Sequence, residues 1–322
     1  MKKDNNSKNC LLIFPKSFYH YSEYFKKALN ENGYKVTISN DEYPESTMGK
    51  IMGKLKIPRL LTLTLETIKK NFLDGKSYDV VVIIKGRGVS SQLIEEIRKV
   101  SPKVVGFSFD SFKYHSAPIK WFKFVDRFYT FDYRDSEKFG LPIIELFSSL
   151  AENKSEKKIS YQVSAIVRNH SERLNYIDKV FSNLQIESKF IYIFEQNYFT
   201  FIQNFIKNPF LYLKYRKHIS FKSLPYSEYM RVLRESDYTL DFAHPDQSGI
   251  TIRCFEALDS QTKIITNNPY VSRYSYLNDS NTIIFDPKSN PAFLKEEFKR
   301  LEKIIPQKHS RTIDHFIKEL IS

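Results

Sequence analysis

The sequence predicts an α/β protein made of two doubly wound domains, each a parallel sheet flanked by helices. Short apolar runs rich in Val, Ile and Phe alternate with longer amphipathic runs, which is typical of buried strands separated by crossover helices. The alternation is interrupted by a polar stretch at 151–158 and then begins again. A length of 322 residues suits two such domains. We therefore expect domains at 1–150 and 151–322, with the C-terminal helix packing back on the first.

The first domain is predicted from five apolar runs and two helical patterns. Apolar residues spaced three and four apart predict a helix that ends near Gly33 and another that ends before Pro102. The runs predict strands at 10–14, 35–39, 79–85, 103–109 and 126–131. Strand–helix–strand repetition of this kind predicts a parallel sheet with right-handed crossovers.

The second domain repeats the pattern. Strands are predicted at 161–167, 190–194, 218–221, 238–242, 263–266 and 282–285. Helices are predicted at about 171–184, 226–235 and 250–258, followed by a helical tail over 292–321 that is interrupted at Pro306. Ligands of such folds bind at the carboxyl ends of the strands, so we expect two sheets facing a cleft.

Charge favours anionic partners. Fifty Lys and Arg residues against 37 Asp and Glu give a net charge of +13, which suits nucleic acid, acidic lipid headgroups or phosphorylated small molecules. Basic residues between 50 and 76 alternate with apolar ones. This region is interpreted either as a patch for an anionic membrane surface or as the solvated face of an ordinary helix.

A second basic stretch, residues 198–221, is rich in aromatic residues. It has three interpretations: a surface that stacks the bases of single-stranded nucleic acid, a buried helix with a basic edge, or a patch that faces lipid.

Several kinds of site are excluded or disfavoured. Cys10 and Cys254 are the only cysteines and lie far apart, so neither a disulfide framework nor a structural zinc site is expected. No apolar run is long enough for a signal peptide or a membrane-spanning helix, and we expect a cytoplasmic protein. No Asp-x-Asp, phosphate-loop, GxSxG or HExxH motif occurs. We therefore expect no metal and no other cofactor.

The most informative segment is a polar loop at 244–249, which lies between a predicted strand and a predicted helix. The unpaired N–H groups and positive dipole end of a helix amino terminus suit a diphosphate, and Gly249 would allow close approach of the ligand. Glu256, further along the helix, could accept hydrogen bonds from sugar hydroxyls. The alternative is a turn without a ligand, which Pro245 and Gly249 also suit.

This segment, RESDYTLDFAHPDQSGITIRCFEAL, resembles the donor-binding strand, loop and Glu-bearing helix of the B-type (GT-B) glycosyltransferases, enzymes with two Rossmann-like domains facing a cleft. AIVRNHSERLNYI resembles the opening strand of their nucleotide-binding domain. VVIIKGRGVS and VVGFSFDS resemble strands of one bacterial subgroup, the CgeB-like and lipopolysaccharide or capsule transferases. The resemblance covers most of the chain, and only the donor segment is specific.

The resemblance implies roles for individual residues. Glu256 would hold the nucleotide ribose, and Ser248, Gly249 and Thr251 would lie at the diphosphate or the sugar. Many retaining members carry a second glutamate eight positions earlier, where this chain has Ser248. The stereochemistry therefore cannot be carried over. The sugar-contact role is assigned instead to one of three nearby polar residues: His244, Asp246 or Gln247.

Basic residues at loop ends are candidates to stabilise a leaving diphosphate, whose charge grows in the transition state. They are Arg168 after the first strand of the second domain, Lys222 after its third, and Arg253 at the start of the Glu256 helix. The alternative for each is a solvated surface cation. In the first domain, His20 and Asp110 follow strands and are candidate general bases for an acceptor hydroxyl.

The stretch at 85–88, Lys-Gly-Arg-Gly, lacks the third glycine of a dinucleotide fingerprint, so it predicts a tight turn.

Taken with the resemblance, these features predict a metal-independent glycosyltransferase. It would move a sugar from a nucleotide-sugar donor to a bacterial surface glycan or glycolipid, of lipopolysaccharide or capsule, as a peripheral protein at the inner face of the membrane. Two alternatives remain open at this point: a sugar-nucleotide epimerase on the same fold, and a non-enzymatic nucleic-acid-binding protein.

Overall fold

The computed structural model describes residues 7–16, 19–55, 57–148, 157–288 and 290–322. These form two compact units, each built on one parallel sheet. The first unit consists of the described residues of Met1–Leu146 together with Asp246–Gly249 and Thr312–Ser322. The second consists of those of Phe147–Pro245 and Ile250–Arg311. Of the polar connector predicted at 151–158, only residues 157 and 158 are described.

The sheet of the first unit has five strands in the order β2-β1-β3-β4-β5, all parallel. The strands are β1 (Lys8–Ile13), β2 (Tyr34–Ser39), β3 (Val80–Ile84), β4 (Val104–Ser108) and β5 (Arg127–Thr130). Every residue of β3 and β4 is buried, because helices cover both faces of a parallel sheet. The five strands predicted from the apolar runs are confirmed, with ends within two residues of the predictions.

Helices connect these strands. They are α1 (Tyr19–Glu31), α2 (Thr47–Lys54), α3 (Arg59–Ile68), α4 (Ser91–Arg98) and α5 (Tyr133–Phe139), and α3 continues into a π-helical turn, Lys69–Leu73. Ser90 caps α4 by accepting a hydrogen bond from the N–H of Leu93. Gly33 follows α1 with a φ of 85°, a left-handed conformation that glycine adopts without strain.

Trp121 organises the core of the first unit beside β3 and β4. Its ring is fully buried, and its Nε1 donates to the carbonyl of Gly86 at 3.1 Å. Gly86 has a φ of 60°, and a Cβ there would lie 2.6 Å from the Trp121 ring. Glycine is therefore required at this position both by the backbone and by the packing. The tight turn predicted at 85–88 is confirmed.

The sheet of the second unit has six parallel strands in the order β8-β7-β6-β9-β10-β11. They are β6 (Tyr161–Arg168), β7 (Lys189–Phe194), β8 (Ile219–Ser220), β9 (Ser236–Asp241), β10 (Lys263–Thr266) and β11 (Thr282–Ile284). Each corresponds to a predicted strand. Numbered within the unit, the order is 3-2-1-4-5-6, the order of dinucleotide-binding Rossmann sheets.

Six helices accompany this sheet: α6 (Arg173–Asn183), α7 (Tyr198–Lys207), α8 (Pro209–Tyr215), α9 (Tyr226–Arg234), α10 (Ile252–Asp259) and α11 (Pro291–Leu301). The helix predicted at 250–258 begins two residues later than expected, because Thr251 is its N-cap and has an extended backbone. The helical tail is interrupted as predicted, since α11 ends at Leu301, before Pro306.

The last helix, α12 (Ile313–Ile321), belongs to the first unit. Its Phe316 is fully buried, with ring centroids 5.6 Å from Phe25 of α1 and 5.0 Å from Phe107 of β4. Thr312 caps the helix through the N–H of His315. Among all the described helices, none combines the length and the apolar character needed to cross a bilayer.

Candidate functional site

The strand order of the second unit locates a candidate ligand site. The chain runs outward in opposite directions from β6 and β9, which are neighbours in the sheet. In open parallel sheets, ligands bind beyond the carboxyl ends of the strands at such a reversal. We therefore expect a ligand at the loops that follow β6 and β9 and at the amino end of α10.

Asp241, the last residue of β9, fixes the start of α10. It is buried and accepts hydrogen bonds from Thr251 Oγ1 at 2.7 Å and from Thr266 Oγ1 at 3.0 Å. Because the Thr251 hydroxyl is turned toward Asp241, it does not cap the helix that follows it. The first-turn N–H groups of α10 therefore donate no hydrogen bond to the side chain of the N-cap residue.

Arg253 lies in the first turn of α10 and is anchored. Its Nη1 donates to the carbonyl of Leu240 at 3.2 Å, and its guanidinium lies 5.9 Å from the ring centroid of Tyr229. The alternative of a solvated surface arginine is wrong for this residue. Its fixed positive charge adds to the positive end of the helix dipole.

Glu256 lies one turn further along α10 and is 2% exposed. Its two carboxylate oxygens accept hydrogen bonds from two tyrosines of α9, Tyr226 at 2.5 Å and Tyr229 at 2.8 Å. Burial, with the Glu256 charge beside it, raises the pKa of Tyr229 well above its usual value, so this hydroxyl stays protonated and donates. The tyrosines therefore orient the carboxylate.

The loop after β6 is electropositive. Arg168 bonds the side chain of Gln196, and Arg173 Nη1 donates to the Arg168 carbonyl at 3.3 Å. Burial, followed by the charges of Arg173 and Arg168, lowers the pKa of His170 from 6.5 to about 3. His170 is therefore neutral at pH 7 and feels the positive charges of two arginines, an environment that favours an anion.

His244 and Lys222, the two other residues of this unit predicted on the donor side, lie in the loops after β9 and β8. The ring of His244 lies 6.2 Å from that of His170. Lys222 is exposed and follows β8, where its backbone N–H donates to Ser220 Oγ at 3.1 Å and its carbonyl accepts from Tyr192 at 2.7 Å. The structure thus gives Lys222 a fixed backbone and an exposed side chain.

Sequence reasoning missed Glu195, which directly follows β7. Its carboxylate is fully buried, and its Oε1 accepts hydrogen bonds from Asn169 at 2.6 Å and from Tyr212. Its Oε2 is buried without a hydrogen-bond partner among the residues that the structure describes. An unsatisfied buried carboxylate oxygen is costly. An acidic residue at the end of a strand was the available signal.

The residues Asp246–Gly249 belong to the first unit, and two of them, Ser248 and Gly249, were predicted to lie at a phosphate. The N–H of Ser248 donates to Asp132 Oδ2 at 2.6 Å, and its hydroxyl accepts from the N–H of Arg134 at 3.1 Å. A Cβ on Gly249 would lie 2.2 Å from the Phe131 ring. The Ser248 N–H is therefore committed to a carboxylate, and glycine is needed at 249 for packing. Their predicted role at a phosphate stays a prediction.

The other two residues of this segment are polar and anchored. Asp246 forms an ion pair with Lys113 at 2.5 Å, and its carbonyl accepts from Ser111 Oγ at 2.6 Å. Gln247 Nε2 donates to Asp110 Oδ1 at 3.1 Å. Of the three residues considered for sugar contact, Gln247 is therefore bonded to a predicted general base.

Asp110 lies beyond β4 and forms the centre of a polar cluster in the first unit. Its Oδ2 forms an ion pair with Lys85, which directly follows β3 and is almost wholly buried. Lys85 has a φ of 63°, a conformation that costs a non-glycine residue about 1–3 kcal/mol and recurs at functional sites. The sequence had indicated only a tight turn here.

His115 is a further member of this cluster that the sequence did not indicate. Burial and the charge of Lys85 lower its pKa from 6.5 to about 4, against the opposing effect of Asp110. The imidazole is therefore neutral at pH 7, and its Nε2 is buried without a hydrogen-bond partner in the described part of the chain. The other predicted base, His20, lies in the first turn of α1, but its side chain is outside the described residues.

The predicted basic patch at 50–76 is described only in part. The side chains of Lys50 and Lys54 and the whole of residue 56 lie outside the described residues. Lys69 pairs with Glu96 at 2.9 Å. In a search confined to the described residues, no three His, Cys, Asp or Glu side chains come together as metal ligands.

No protein-family model matches the chain, and no curated protein matches its sequence. Solved structures match it along nearly its whole length. AviGT4, a glycosyltransferase involved in avilamycin A biosynthesis, is 11% identical with a TM-score of 0.58, covering 98% of this chain and 95% of that one. HepE from Anabaena, in complex with UDP-glucose, is 8% identical with a TM-score of 0.57, covering 98% and 94%.

A third structure belongs to another class of enzyme. The UDP-GlcNAc 2-epimerase of Methanocaldococcus jannaschii, in complex with UDP-GlcNAc and UDP, is 14% identical with a TM-score of 0.55, covering 98% of each chain. Similarities at such low identity establish the fold alone. The chain has the two-domain Rossmann-like α/β fold of the GT-B type, and the fold class predicted from the sequence is confirmed.

Proposed function

We propose that the protein is a glycosyltransferase that takes its sugar from a nucleotide-sugar donor. The observation that carries the proposal is the arrangement at the carboxyl edge of the second sheet, where the start of α10, the anchored Arg253 and the oriented carboxylate of Glu256 lie within one short helix. The fold supports it, since AviGT4 is a glycosyltransferase and HepE was solved with UDP-glucose.

The donor is proposed to bind in the second unit. Glu256 would accept hydrogen bonds from the ribose hydroxyls, and the first turn of α10, with Thr251, would receive the diphosphate. Arg168, Arg253, Lys222 and His244 would lie around the phosphates. As the bond to the sugar breaks, the leaving diphosphate gains negative charge, and cations already fixed near it stabilise the transition state more than the ground state.

The acceptor is proposed to bind in the first unit. Asp110 would take the proton from the acceptor hydroxyl as it attacks, with Lys85 and Gln247 holding the carboxylate in place. His20 stays a second candidate base. For contact with the donor sugar, Gln247 and His244 are retained, and Asp246 is less suited because Lys113 pairs with it.

No metal or other cofactor is part of the proposal. In many transferases a divalent cation neutralises the diphosphate, and here the helix dipole and the guanidinium groups would have that role. We therefore propose that the donor chemistry needs only this chain's own residues.

The acceptor class follows from the sequence resemblance. It is a bacterial surface glycan or glycolipid, of lipopolysaccharide or capsule, as in the CgeB-like subgroup. The enzyme would then work in the cytoplasm at the inner face of the membrane, with the region at 50–76 as one contact for anionic lipid.

A thermal-shift screen against UDP-, GDP-, CMP- and dTDP-sugars tests the donor proposal. One nucleotide is expected to raise the melting temperature, because a ligand at 100 times its Kd stabilises the folded state by about 2.7 kcal/mol. The same nucleotide-sugar, incubated with surface-glycan extract, should yield glycosylated product and free nucleotide. A donor altered in the absence of any acceptor would point to the epimerase, and no shift with any nucleotide would contradict both.

A further inference from the structure

Helix α7 has more apolar residues than its contact with the core of the second unit uses. Phe201 and Phe205 pack against the core of the second unit. Its other apolar residues face solvent: Tyr198, Phe199, Ile202 and Ile206 are 70%, 69%, 53% and 72% exposed. Its polar residues, Thr200, Gln203, Asn204 and Lys207, lie on the opposite side of the helix, so α7 is amphipathic. Its apolar face is wider than the part that attaches it to the core.

Helix α8, the next helix in the chain, also exposes apolar residues. Tyr212 and Tyr215 are buried, whereas Phe210 and Leu213 are 85% and 54% exposed. The aromatic surface is defined here by these six exposed residues: Tyr198, Phe199, Ile202, Ile206, Phe210 and Leu213. Six large apolar side chains within 16 consecutive residues mark a contact site rather than the scattered apolar residues of an ordinary surface.

The charge beside the aromatic surface has one sign. From residue 198 to residue 222 the sequence contains no Asp or Glu. Lys207, Arg216, Lys217 and Lys222 are all exposed, while Lys214 pairs with Asp178 of α6. A face that combines exposed aromatic and aliphatic residues with cations alone complements a surface that is apolar inside and anionic outside.

We propose that the aromatic surface docks on an anionic lipid bilayer, with α7 and α8 lying in the plane of the interface. Tyr and Phe would enter the boundary between headgroups and acyl chains, and the lysines and arginines would meet the headgroups. The aliphatic residues Ile202, Ile206 and Leu213 favour lipid over single-stranded nucleic acid, because a nucleic-acid surface relies on rings that can stack on bases.

The aromatic surface adjoins the carboxyl edge of the second sheet. Phe221 stacks on Tyr198 with ring centroids 4.2 Å apart, and the next residue is Lys222 beyond β8. Docking would therefore hold the edge that carries the proposed donor site close to the headgroups, within reach of a lipid-linked acceptor. That consequence rests on the proposed function, but the docking itself does not.

Co-sedimentation of the full chain with vesicles tests the docking. The wild type is expected to bind vesicles of phosphatidylcholine with phosphatidylglycerol, to bind pure phosphatidylcholine far less, and to lose binding as salt rises. Replacing Phe199 and Phe210 together by Ser should lower binding by about tenfold or more, and so should replacing Lys207 and Lys217 together by Gln. These side chains are exposed, so unchanged circular dichroism and melting temperature should accompany the loss.

Matched controls lie elsewhere in the same unit. Ile305 is 82% exposed, and Lys303 is exposed beside it. Ile305→Ser and Lys303→Gln should bind vesicles as the wild type does. Equal binding of the Phe199/Phe210 double variant and the wild type would overturn the proposal. So would retention of an oligonucleotide without vesicle binding, or a dimer in solution that this double variant disrupts. Because nucleotide binding is measured separately, failure here leaves the proposed function standing.

Discussion

Glu256→Gln is expected to weaken binding of the donor nucleotide by roughly 10- to 150-fold. The carboxylate is proposed to accept charge-assisted hydrogen bonds from the ribose, which contribute about 1.5–3 kcal/mol. Glutamine keeps the shape of the side chain. The hydroxyls of Tyr226 and Tyr229 can reorient so that one donates to the amide oxygen and the other accepts from the amide nitrogen. Calorimetric titration with the nucleotide selected in the thermal-shift screen gives the affinity.

Two variants separate ligand binding from structural support. Glu228→Gln makes the same change on neighbouring α9, where Glu228 pairs with Arg231 at the surface, and should bind nucleotide normally. Tyr229→Phe removes one hydroxyl that orients Glu256 but keeps the charge, so it should cost less affinity than Glu256→Gln. Wild-type affinity in Glu256→Gln would remove Glu256 from the site.

Asp110→Asn is expected to lower turnover by roughly 10²- to 10⁴-fold, the usual contribution of a general base. Nucleotide affinity should stay unchanged, because the donor is proposed to bind in the other unit. The substitution also weakens the ion pair with almost wholly buried Lys85, so some loss of stability, about 1–3 kcal/mol, is expected. Turnover and thermal denaturation are therefore measured on the same preparation.

Asp79→Asn is the matched control. Asp79 directly precedes β3, so it lies at the amino ends of the strands, whereas Asp110 lies beyond a carboxyl end. The carboxylate of Asp79 accepts a hydrogen bond from the N–H of Asn9 at 2.6 Å, and an amide oxygen can accept the same bond. This variant should keep normal turnover. If Asp110→Asn turned over at nearly the wild-type rate, the base would have to be sought elsewhere, first at His20.

The strands and most helices were predictable because their signal is local. A fully buried parallel strand needs a short run of β-branched and aromatic residues, and Val80–Ile84 supplies one. The order of the strands in each sheet was not predictable in the same way, because it depends on which strands pair. Only the structure shows that β6 lies beside β9 and thereby places the candidate site.

The candidate site was predictable only where its residues are neighbours in sequence. Thr251, Arg253 and Glu256 share one helix, so a single segment indicated all three. Glu195 accepts a hydrogen bond from Asn169, 26 residues earlier in the chain. This hydrogen bond forms only when β6 and β7 pair in the sheet. His115 was missed for the same reason, since the charge of Lys85, which lowers its pKa, comes from a residue 30 positions earlier in the chain.

The partners of Ser248 and Gly249 could not be predicted, for a similar reason. A Ser-Gly pair before a helix is equally suited to a phosphate and to tight packing, and the sequence does not show which partner is present. Here the partners are Asp132 and Phe131, more than 110 residues earlier in the chain. Asp132 also caps α5, so one carboxylate anchors two segments.

The central claim, that a diphosphate binds at the carboxyl edge of the second sheet, is tested most directly by the titration of His170, followed by NMR. Without ligand, its pKa of about 3 keeps the imidazole neutral well below pH 7. A diphosphate beside Arg168 and Arg173 would favour the imidazolium, so the nucleotide selected in the screen is predicted to raise this pKa by about one unit or more. An unchanged His170 pKa in protein saturated with that nucleotide would contradict the claim.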